Sequence, residues 1–438
     1  MERNEAILEY LHPGYQKKIA AWVKTDPLWQ ERRRIDLLRL RASKSGTKTT
    51  NKTVLMISHA QGGGVEQVVQ KRVSVYQTQA RRVLILRPIE NGCLIEDPLH
   101  KKDYPCLRFR LPDELALLKR VLVAEGVQHI EIHHLVGYHA CLYGFMRNSG
   151  YPYTLYIHDY ALFCQRISLL GPEGVYCGEP EPQGCAQCIA LAGHHLTQDC
   201  TIPEYLARSE YLLQKAQHVY VPSHDTAIRM AKHFAGINYS VHALQNDKNL
   251  EKPFKKWSKS PRSQTTPASG ALSSPYVQGK PARLRLCLIG AIGHEKGYSV
   301  LHQAALNAAM HDLPLEFVIV GHTPNDQLLL NTQRVFITGR YQEAEAVSLI
   351  QSFQPDAAFF PSLWPETWCL TLGLAWQAGL QALVFDYGAP AERVRQTGRG
   401  WLLNSKLRGS ALNQVLIKTV LGCKNSKDGK NPNLFIKL

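Results

Sequence analysis

Two charged residues stand where the chain turns from an apolar run into a helical one. Lys296 lies in "LIGAIGHEKGYSVL", which reads as a strand, Gly290, a loop holding Gly293, Lys296-Gly297, and a helix. A lysine at such a turn can neutralise a diphosphate lying on the helix N-terminus, whose unpaired N–H groups favour an anion. A solvated surface lysine is the plainer reading, and the surrounding glycines weigh against it. Glu366 lies in "AAFFPSLWPETWCLTLGLAWQAG", a strand, a proline-flanked turn, and a helix that starts at Thr367 and stops at Gly379. Thr367 is placed to cap that helix, and the N–H groups there can take a phosphate or a sugar hydroxyl. A purely structural glutamate would contribute only about a few tenths of a kcal/mol through the helix dipole.

Other strand ends carry useful residue types. "YTLYIHDYALFCQRI" ends its strand in His158-Asp159, where a histidine faces a ligand more readily than one in mid-strand. His133 and His134, inside "EIHHL", read as core or edge histidines. "SHAQGGGVEQVV" sets Gly62, Gly63 and Gly64 between a strand and a helix, so the backbone can approach a ligand closely. A tight turn explains them equally well. Their spacing is not G-x-G-x-x-G, so no dinucleotide fingerprint is present. "ITGRY" places Arg340 at a further strand end as a second candidate anion contact.

Four of the eleven cysteines cluster as Cys164-x12-Cys177-x7-Cys185-x2-Cys188. The C-x2-C pair and the Gly/Pro-rich loop around it fit a structural zinc site, closed and tetrahedral. An iron–sulfur cluster, redox thiols and buried free cysteines are the other readings. Because the loop follows His158 directly, it is expected to shape the acceptor side of a cleft.

The elements that must hold these residues are short and regular. "TVLMISHA", "RRVLILRP", "HIEIHHL", "YTLYIHDY" and "HVYVPS" are strand-like, with helical stretches such as "LPDELALLKRVLVAEG" between most of them. Near-continuous apolar strands alternating with helices mean parallel sheets covered on both faces. Residues 247–283 break the pattern, rich in Ser, Pro and Lys, and read as a flexible linker. The alternation restarts with "RLRLCLIGAI", "LEFVIVGH", "RVFITG", "AAFFPS" and "QALVFD". The expected fold is α/β, two doubly wound Rossmann-like domains with the natural site in an inter-domain cleft, beyond the carboxyl ends of the strands. The expected divisions are a basic helical extension (1–52), an acceptor-side domain (53–246) with a Cys-rich loop (161–200), the linker (247–283), a second domain (284–404) and a basic helix or tail (405–438).

A chain of 438 residues exceeds one ordinary core. No apolar run reaches the ~18 residues of a membrane span, and the first residues lack a signal-peptide pattern, so a cytoplasmic protein is expected. The net charge of +15 is unevenly spread: residues 1–53, 247–283 and 405–438 together carry 27 basic against 9 acidic side chains, leaving −3 for the rest. Charge confined to ends and a linker argues against a nucleic-acid footprint. It fits attraction to an anionic membrane face, at about 1 kcal/mol per well-placed Lys or Arg, and equally fits solubilising ends.

With these motifs in this order, the chain from about Thr53 to Leu403, apart from the linker, resembles the family 4 glycosyltransferases of GT-B fold. Within them it is similar to bacterial members of O-antigen, capsule and other surface-polysaccharide synthesis. The segments that carry the resemblance are "GGGVEQVV", "YIHDYALFCQRISLLGPEGVYCGEP", "VPSHD", "GAIGHEKG", "ITGRYQEAE", "FPSLWPETWCLTLGLAWQAGL" and "FDYGAPAERV". The resemblance implies transfer of a sugar from a nucleotide-diphosphate donor (UDP, GDP or dTDP) to a hydroxyl of a glycan or lipid-linked glycan, with retention and no required metal. It implies Lys296 on the donor diphosphate and Glu366 at the donor sugar and diphosphate, beside backbone N–H groups of Thr367, Trp368, Cys369 and Leu370. It also implies that the loop Gly62–Gly64 closes over donor or acceptor, and that His158 sits near the reacting sugar carbon.

Two positions depart from the family pattern. An arginine commonly follows the first glycine of "GAIGHEKG"; here it is Ala291. A second glutamate commonly stands eight positions after the first and holds the ribose; here it is Leu374. Arg340 or Asp386 are the candidates to compensate. These departures support an alternative, a GT-B protein without turnover that serves as a sugar-nucleotide-binding or assembly subunit. An NAD-dependent oxidoreductase is disfavoured by the missing fingerprint.

Overall fold

The computed structural model describes residues 2–42, 50–100, 103–196, 200–247 and 283–425. The chain divides into two compact units, residues 1–154 and 155–438.

The first unit opens with three helices, α1 (Glu2–Leu11), α2 (Tyr15–Thr25) and α3 (Trp29–Ala42). From sequence, the arginine-rich α3 reads as exposed. Instead Arg33, Asp36 and Leu40, on one helix face, are buried. Arg33 pairs with Glu114 at 2.8 Å and lies over the Trp29 ring at 4.2 Å, and Asp36 accepts the Cys106 N–H at 2.8 Å. Part of the basic excess is therefore docked by polar contacts that no apolar pattern announces.

The chain then builds β1 (Thr50–Ile57), α4 (Gly64–Thr78), β2 (Arg81–Ile89), β3 (Gly92–Glu96), β4 (Arg108–Arg110), α5 (Leu115–Ala124), β5 (Val127–Ile132), α6 (Cys141–Asn148) and β6 (Tyr153–Tyr156). The strands lie in the order β4-β3-β2-β1-β5-β6. β1 pairs in parallel with β2 and β5, while β3 adds an antiparallel edge to β2. Val54, Met56, Val83 and Ile85 pack on Val69, Val73 and Tyr76 of α4, so the apolar face of that helix covers one side of the sheet.

The second unit continues with α7 (Pro182–Ala192), α8 (Ile202–Lys215), β7 (His218–Val221), α9 (His224–His233) and β8 (Tyr239–Val241). Thr201 opens α8 with a capping box: its hydroxyl accepts the Glu204 N–H while the Glu204 carboxylate accepts the Thr201 N–H. Then follow β9 (Leu284–Ala291), α10 (Tyr298–Met310), β10 (Leu315–His322), α11 (Asp326–Leu330), β11 (Val335–Ile337), α12 (Ala346–Ser352), β12 (Ala357–Phe360), α13 (Leu370–Gln377), β13 (Ala382–Phe385), α14 (Gly388–Thr397), β14 (Gly400–Leu403) and α15 (Gly409–Asn425).

These six strands form a parallel sheet of order β11-β10-β9-β12-β13-β14. In β9, Leu284, Leu286 and Leu288 enter one buried cluster with α10 and α15, and Cys287 and Ile289 enter another with α13 and α14. Both faces are covered, which is why the strand is apolar from Leu286 onward, while Arg285 is paired with Glu316 at 2.6 Å. The expected basic tail is thus an integral helix in its first part: Leu412 and Leu416 of α15 are buried, and the Asn413 side-chain N–H donates to the Ala304 carbonyl at 2.9 Å. Residues 426–438, and 248–282 of the expected linker, lie outside the described residues. Among the described residues no helix is long and apolar enough to cross a membrane.

Candidate functional site

In the six-stranded sheet the winding reverses at β9: the chain moves outward through β10 and β11, then returns to β12 on the other side. The carboxyl ends of β9 and β12 therefore mark the switch point of the sheet, and the crevice at such a point is where doubly wound folds bind ligands. Lys296 is on the first loop and Glu366 on the second.

Glycine makes the first loop fit. Gly290 has φ 107° and pairs with Gly321, φ 145°, where a Cβ would lie 1.9 Å from the Gly290 carbonyl oxygen. Gly297, φ 85°, precedes α10, and a Cβ there would lie 2.0 Å from the Pro361 oxygen. The loop is thus pressed onto the end of β12, and Leu363 N–H donates to the Glu295 carbonyl at 2.8 Å. Gly293 closes the turn, its carbonyl accepting from Lys296 N–H at 3.2 Å and Tyr298 N–H at 3.1 Å. Lys296 is half-buried. Burial opposes its charge, but the Glu366 carboxylate, with smaller help from Cys369, Glu295 and Tyr341, holds its pKa above the ordinary value. It is a cation at neutral pH.

Glu366 is 6% exposed and fixed at every polar atom of its backbone. Its N–H donates to the Trp364 carbonyl at 2.9 Å, and its carbonyl accepts from Ala389 at the start of α14 at 2.8 Å. The Ser362 hydroxyl donates to its carboxylate, and Tyr387 donates to the Ser362 carbonyl. Gly388, φ 70°, has no room for a Cβ against Pro365 and Glu366. So rigid a seat for a buried carboxylate exceeds what a helix-dipole contact requires.

The helix beyond begins later than expected. Thr367 does not cap it: its hydroxyl donates to the His158 carbonyl at 2.5 Å, and α13 starts at Leu370 with Cys369 in the left-handed region at φ 66°. No side chain caps this N-terminus. Trp368, Cys369 and Leu370 are shaped by residues that sequence reading missed. Buried Arg393 donates to the carbonyls of Trp368 and Cys369 at 3.0 and 2.7 Å and forms a two-pronged ion pair with Asp247 at 2.7 Å. Gln245 donates to the Leu370 carbonyl at 3.2 Å. An arginine in "GAPAERV" gives no sign of partners some 146 positions away.

His158 is brought to the Glu366 turn. Besides the Thr367 bond to its carbonyl, Tyr160 two residues on donates to the Pro365 carbonyl at 2.8 Å and packs edge-on to Trp364. Gly62, Gly63 and Gly64 belong to the first unit, exposed between β1 and α4. Gly63 has φ 88°, and a Cβ on Gly62 or Gly63 would meet nothing within 4 Å. Arg340 is exposed just beyond β11. Asp386 is engaged by Arg395. Ala291 is exposed, and Leu374 packs into the apolar cluster of Trp376, so neither position supplies a polar contact from its side chain.

The four cysteines lie near one another: besides burial, Cys177 and Cys185 raise the pKa of Cys164, and Cys177 and Cys188 raise that of Cys185. Among the described residues no group of three or more His, Cys, Asp and Glu is arranged to hold a metal. Backbone groups also reach the thiols: the Cys185 Sγ donates to the Pro180 carbonyl at 3.7 Å, and the Cys177 Sγ accepts from Glu179 N–H at 3.4 Å. Burial pushes Cys164 up to about 12. The loop is organised by Glu179, buried between Arg229 and Tyr176. It also meets the residues around the crevice. Leu170 joins the cluster of Ile292 and Leu363, a Cβ on Gly174 would lie 2.4 Å from His294, and Tyr176 packs against Tyr387 at 5.9 Å.

Comparison with known proteins bears on the fold that carries these residues. Residues 278–427 match the family model described as "Glycosyl transferases group 1". No curated protein matches the sequence. Sucrose-phosphate synthase from Thermosynechococcus elongatus is similar in structure, with a TM-score of 0.55 at 15% identity over 85% of this chain and 90% of its own. A glycosyltransferase from Rickettsia africae ESF-5 gives 0.51 at 12% identity over 86% and 90%. At such identities the likeness is one of fold. The chain has the GT-B fold, and its residues 278–427 are similar to the glycosyl transferases group 1 family.

Proposed function

We propose that the protein is a retaining glycosyltransferase that moves a sugar from a nucleotide-diphosphate donor to a hydroxyl of a glycan or lipid-linked glycan. One observation carries the reading: Lys296 and Glu366 flank the switch point of the six-stranded sheet, each on a loop whose backbone is immobilised by close packing. In the reaction the bond from the anomeric carbon to the diphosphate oxygen breaks and a bond to the acceptor oxygen forms, with the acceptor proton leaving to the departing diphosphate. Charge grows on that diphosphate. Lys296 and the uncapped N-terminus of α13 are positioned to stabilise it, and preorganised donors of this kind are worth about 3–4 kcal/mol each in other enzymes. Glu366 holds the sugar hydroxyls, and His158 lies by the sugar carbon. The role is in surface-polysaccharide, lipopolysaccharide or other glycan synthesis in the cytoplasm. Contact with an anionic inner membrane face is supported by the basic excess of residues 1–53 and by exposed Tyr10, Leu11 and Trp22.

The apolar setting of Leu374 favours a second reading, a sugar-nucleotide-binding subunit without turnover. Slow donor hydrolysis in the absence of acceptor separates the two. Release of free sugar that disappears in Glu366→Gln supports the enzyme; tight donor binding with no hydrolysis and no transfer to any glycan acceptor supports the subunit.

A further inference from the structure

We propose that Arg393 is a positioning residue, which sets the backbone at the mouth of α13 by clamping it to Gln245 and Asp247. The proposal rests on the reading of that mouth as the diphosphate site. Arg393 is 1% exposed, and its guanidinium makes five bonds: Nε and Nη2 to the Asp247 carboxylate, Nη2 to Gln245 Oε1 at 3.0 Å, and Nη1 to the carbonyls of Trp368 and Cys369. A guanidinium has five N–H groups, so its capacity is matched. The plane lies over Trp368 at 4.1 Å and near Trp376 at 5.1 Å.

The Asp247 carboxylate takes two of those five N–H groups, and a buried guanidinium needs partners for the other three. Here two further bonds go to consecutive carbonyls of the loop that precedes α13, and a third goes to Gln245. That glutamine is itself tied to the same loop, accepting from Trp368 Nε1 at 3.3 Å and donating to the Leu370 carbonyl. Cys369, a non-glycine residue at φ 66°, adopts a conformation that L side chains avoid. With its carbonyl and that of Trp368 turned toward Arg393, the clamp compensates for that conformation. The glycine at 373 completes the fit: a Cβ there would lie 2.5 Å from the Gln245 side chain. Donor affinity thereby depends on a segment that precedes β9, far from the loop in sequence.

The test uses the full chain and the nucleotide sugar that wild type hydrolyses or binds. Arg393→Met should raise the donor KM at least thirtyfold, with faster amide hydrogen exchange confined to residues 368–372. Arg393→Lys should recover only part, because one ammonium cannot bridge both the carboxylate and two carbonyls. Gly373→Ala, which displaces only the flexible end of Gln245, should raise the KM severalfold with the melting temperature nearly unchanged. If Arg393→Met does not fold, Gly373→Ala and Gln245→Ala decide by the same two readouts. Folded variants that keep the donor KM within twofold of wild type, with unchanged exchange at 368–372, overturn the positioning role while the donor site stands. Wild type that binds no nucleotide overturns the donor site and the clamp's role together.

Discussion

Glu179 is the fastening of the cysteine-rich loop, and its removal has a calculable effect. Its side chain is 2% exposed; it accepts from Tyr176 at 2.5 Å, pairs with Arg229, and has His233 at 3.5 Å. Burial alone would raise its pKa, but the bonds from His233, Tyr176 and Arg229 outweigh burial and bring it down to about 2. Against about 4.3 in an open chain, at 1.36 kcal/mol per tenfold, the charged form is favoured by about 3 kcal/mol when the loop is closed. Because the folded value is depressed, this contribution is complete above about pH 4.3 and is lost as pH falls toward 2. At pH 3 about 1.5 kcal/mol is left. Glu179→Gln keeps a bond to Tyr176, and Arg229 still pairs with Asp225 at 2.7 Å. The expected net cost of closure at neutral pH is therefore about 1.5–2 kcal/mol, or ten- to thirtyfold more frequent local opening. Alkylation of Cys164 and Cys177 at pH 7.5, followed peptide by peptide, measures that opening, with Cys106 of the first unit as internal control. Rates for Cys164 and Cys177 within twofold of wild type in the folded variant would refute the fastening. So would an amide-exchange difference at the loop that is as large at pH 3 as at pH 7.

Three further outcomes follow from the same geometry. Gly321→Ala forces a Cβ onto the Gly290 carbonyl oxygen and should cost at least about 3 kcal/mol, visible as a fall in melting temperature of roughly 6–12 °C; a fall under 2 °C would mean the two strand ends can part. Thr367→Val removes the bond to the His158 carbonyl and should cost about 1 kcal/mol, seen as a severalfold loss in kcat/KM with little change in unfolding midpoint. Leu374→Glu places a carboxylate on the partly buried face of α13 and should tighten donor binding by up to about tenfold if the ribose lies there. Unchanged or weaker nucleotide affinity in calorimetry would place the ribose elsewhere.

The strands that build the site were legible because burial on both faces writes an unbroken apolar run. "LCLIGA" and "AAFFPS" become the ends of β9 and β12. Gly290 and Gly297 were legible too, because a positive φ favours glycine at both and a Cβ on Gly297 would also meet the Pro361 oxygen. The start of α13 was misread because Thr367 has the chemistry of a cap, whereas a bond across the chain to His158 claimed its hydroxyl first. Arg393, Gln245 and Asp247 carry no local periodicity; their meaning lies in a meeting of distant segments that sequence alone does not record. The cysteines were legible as a group from their spacing, whereas the fastening of their loop was not, because Glu179 is held by Arg229, fifty positions away. The hairpin β3–β4 and the docked face of α3 were missed because both depend on polar pairing and edge register more than on apolar pattern.

The most direct measurement is a thermal-shift screen of the purified full chain against UDP, GDP, dTDP and their sugar conjugates, with Lys296→Ala and Glu366→Ala alongside. A ligand at about 100 times its dissociation constant stabilises by about 2.7 kcal/mol. The expected result is that one nucleotide class stabilises wild type, that Lys296→Ala loses the effect of the diphosphate, and that Glu366→Ala loses the added effect of the sugar. Stabilisation by no nucleotide, or equal stabilisation of wild type and both variants, would contradict a donor site at the β9–β12 crevice.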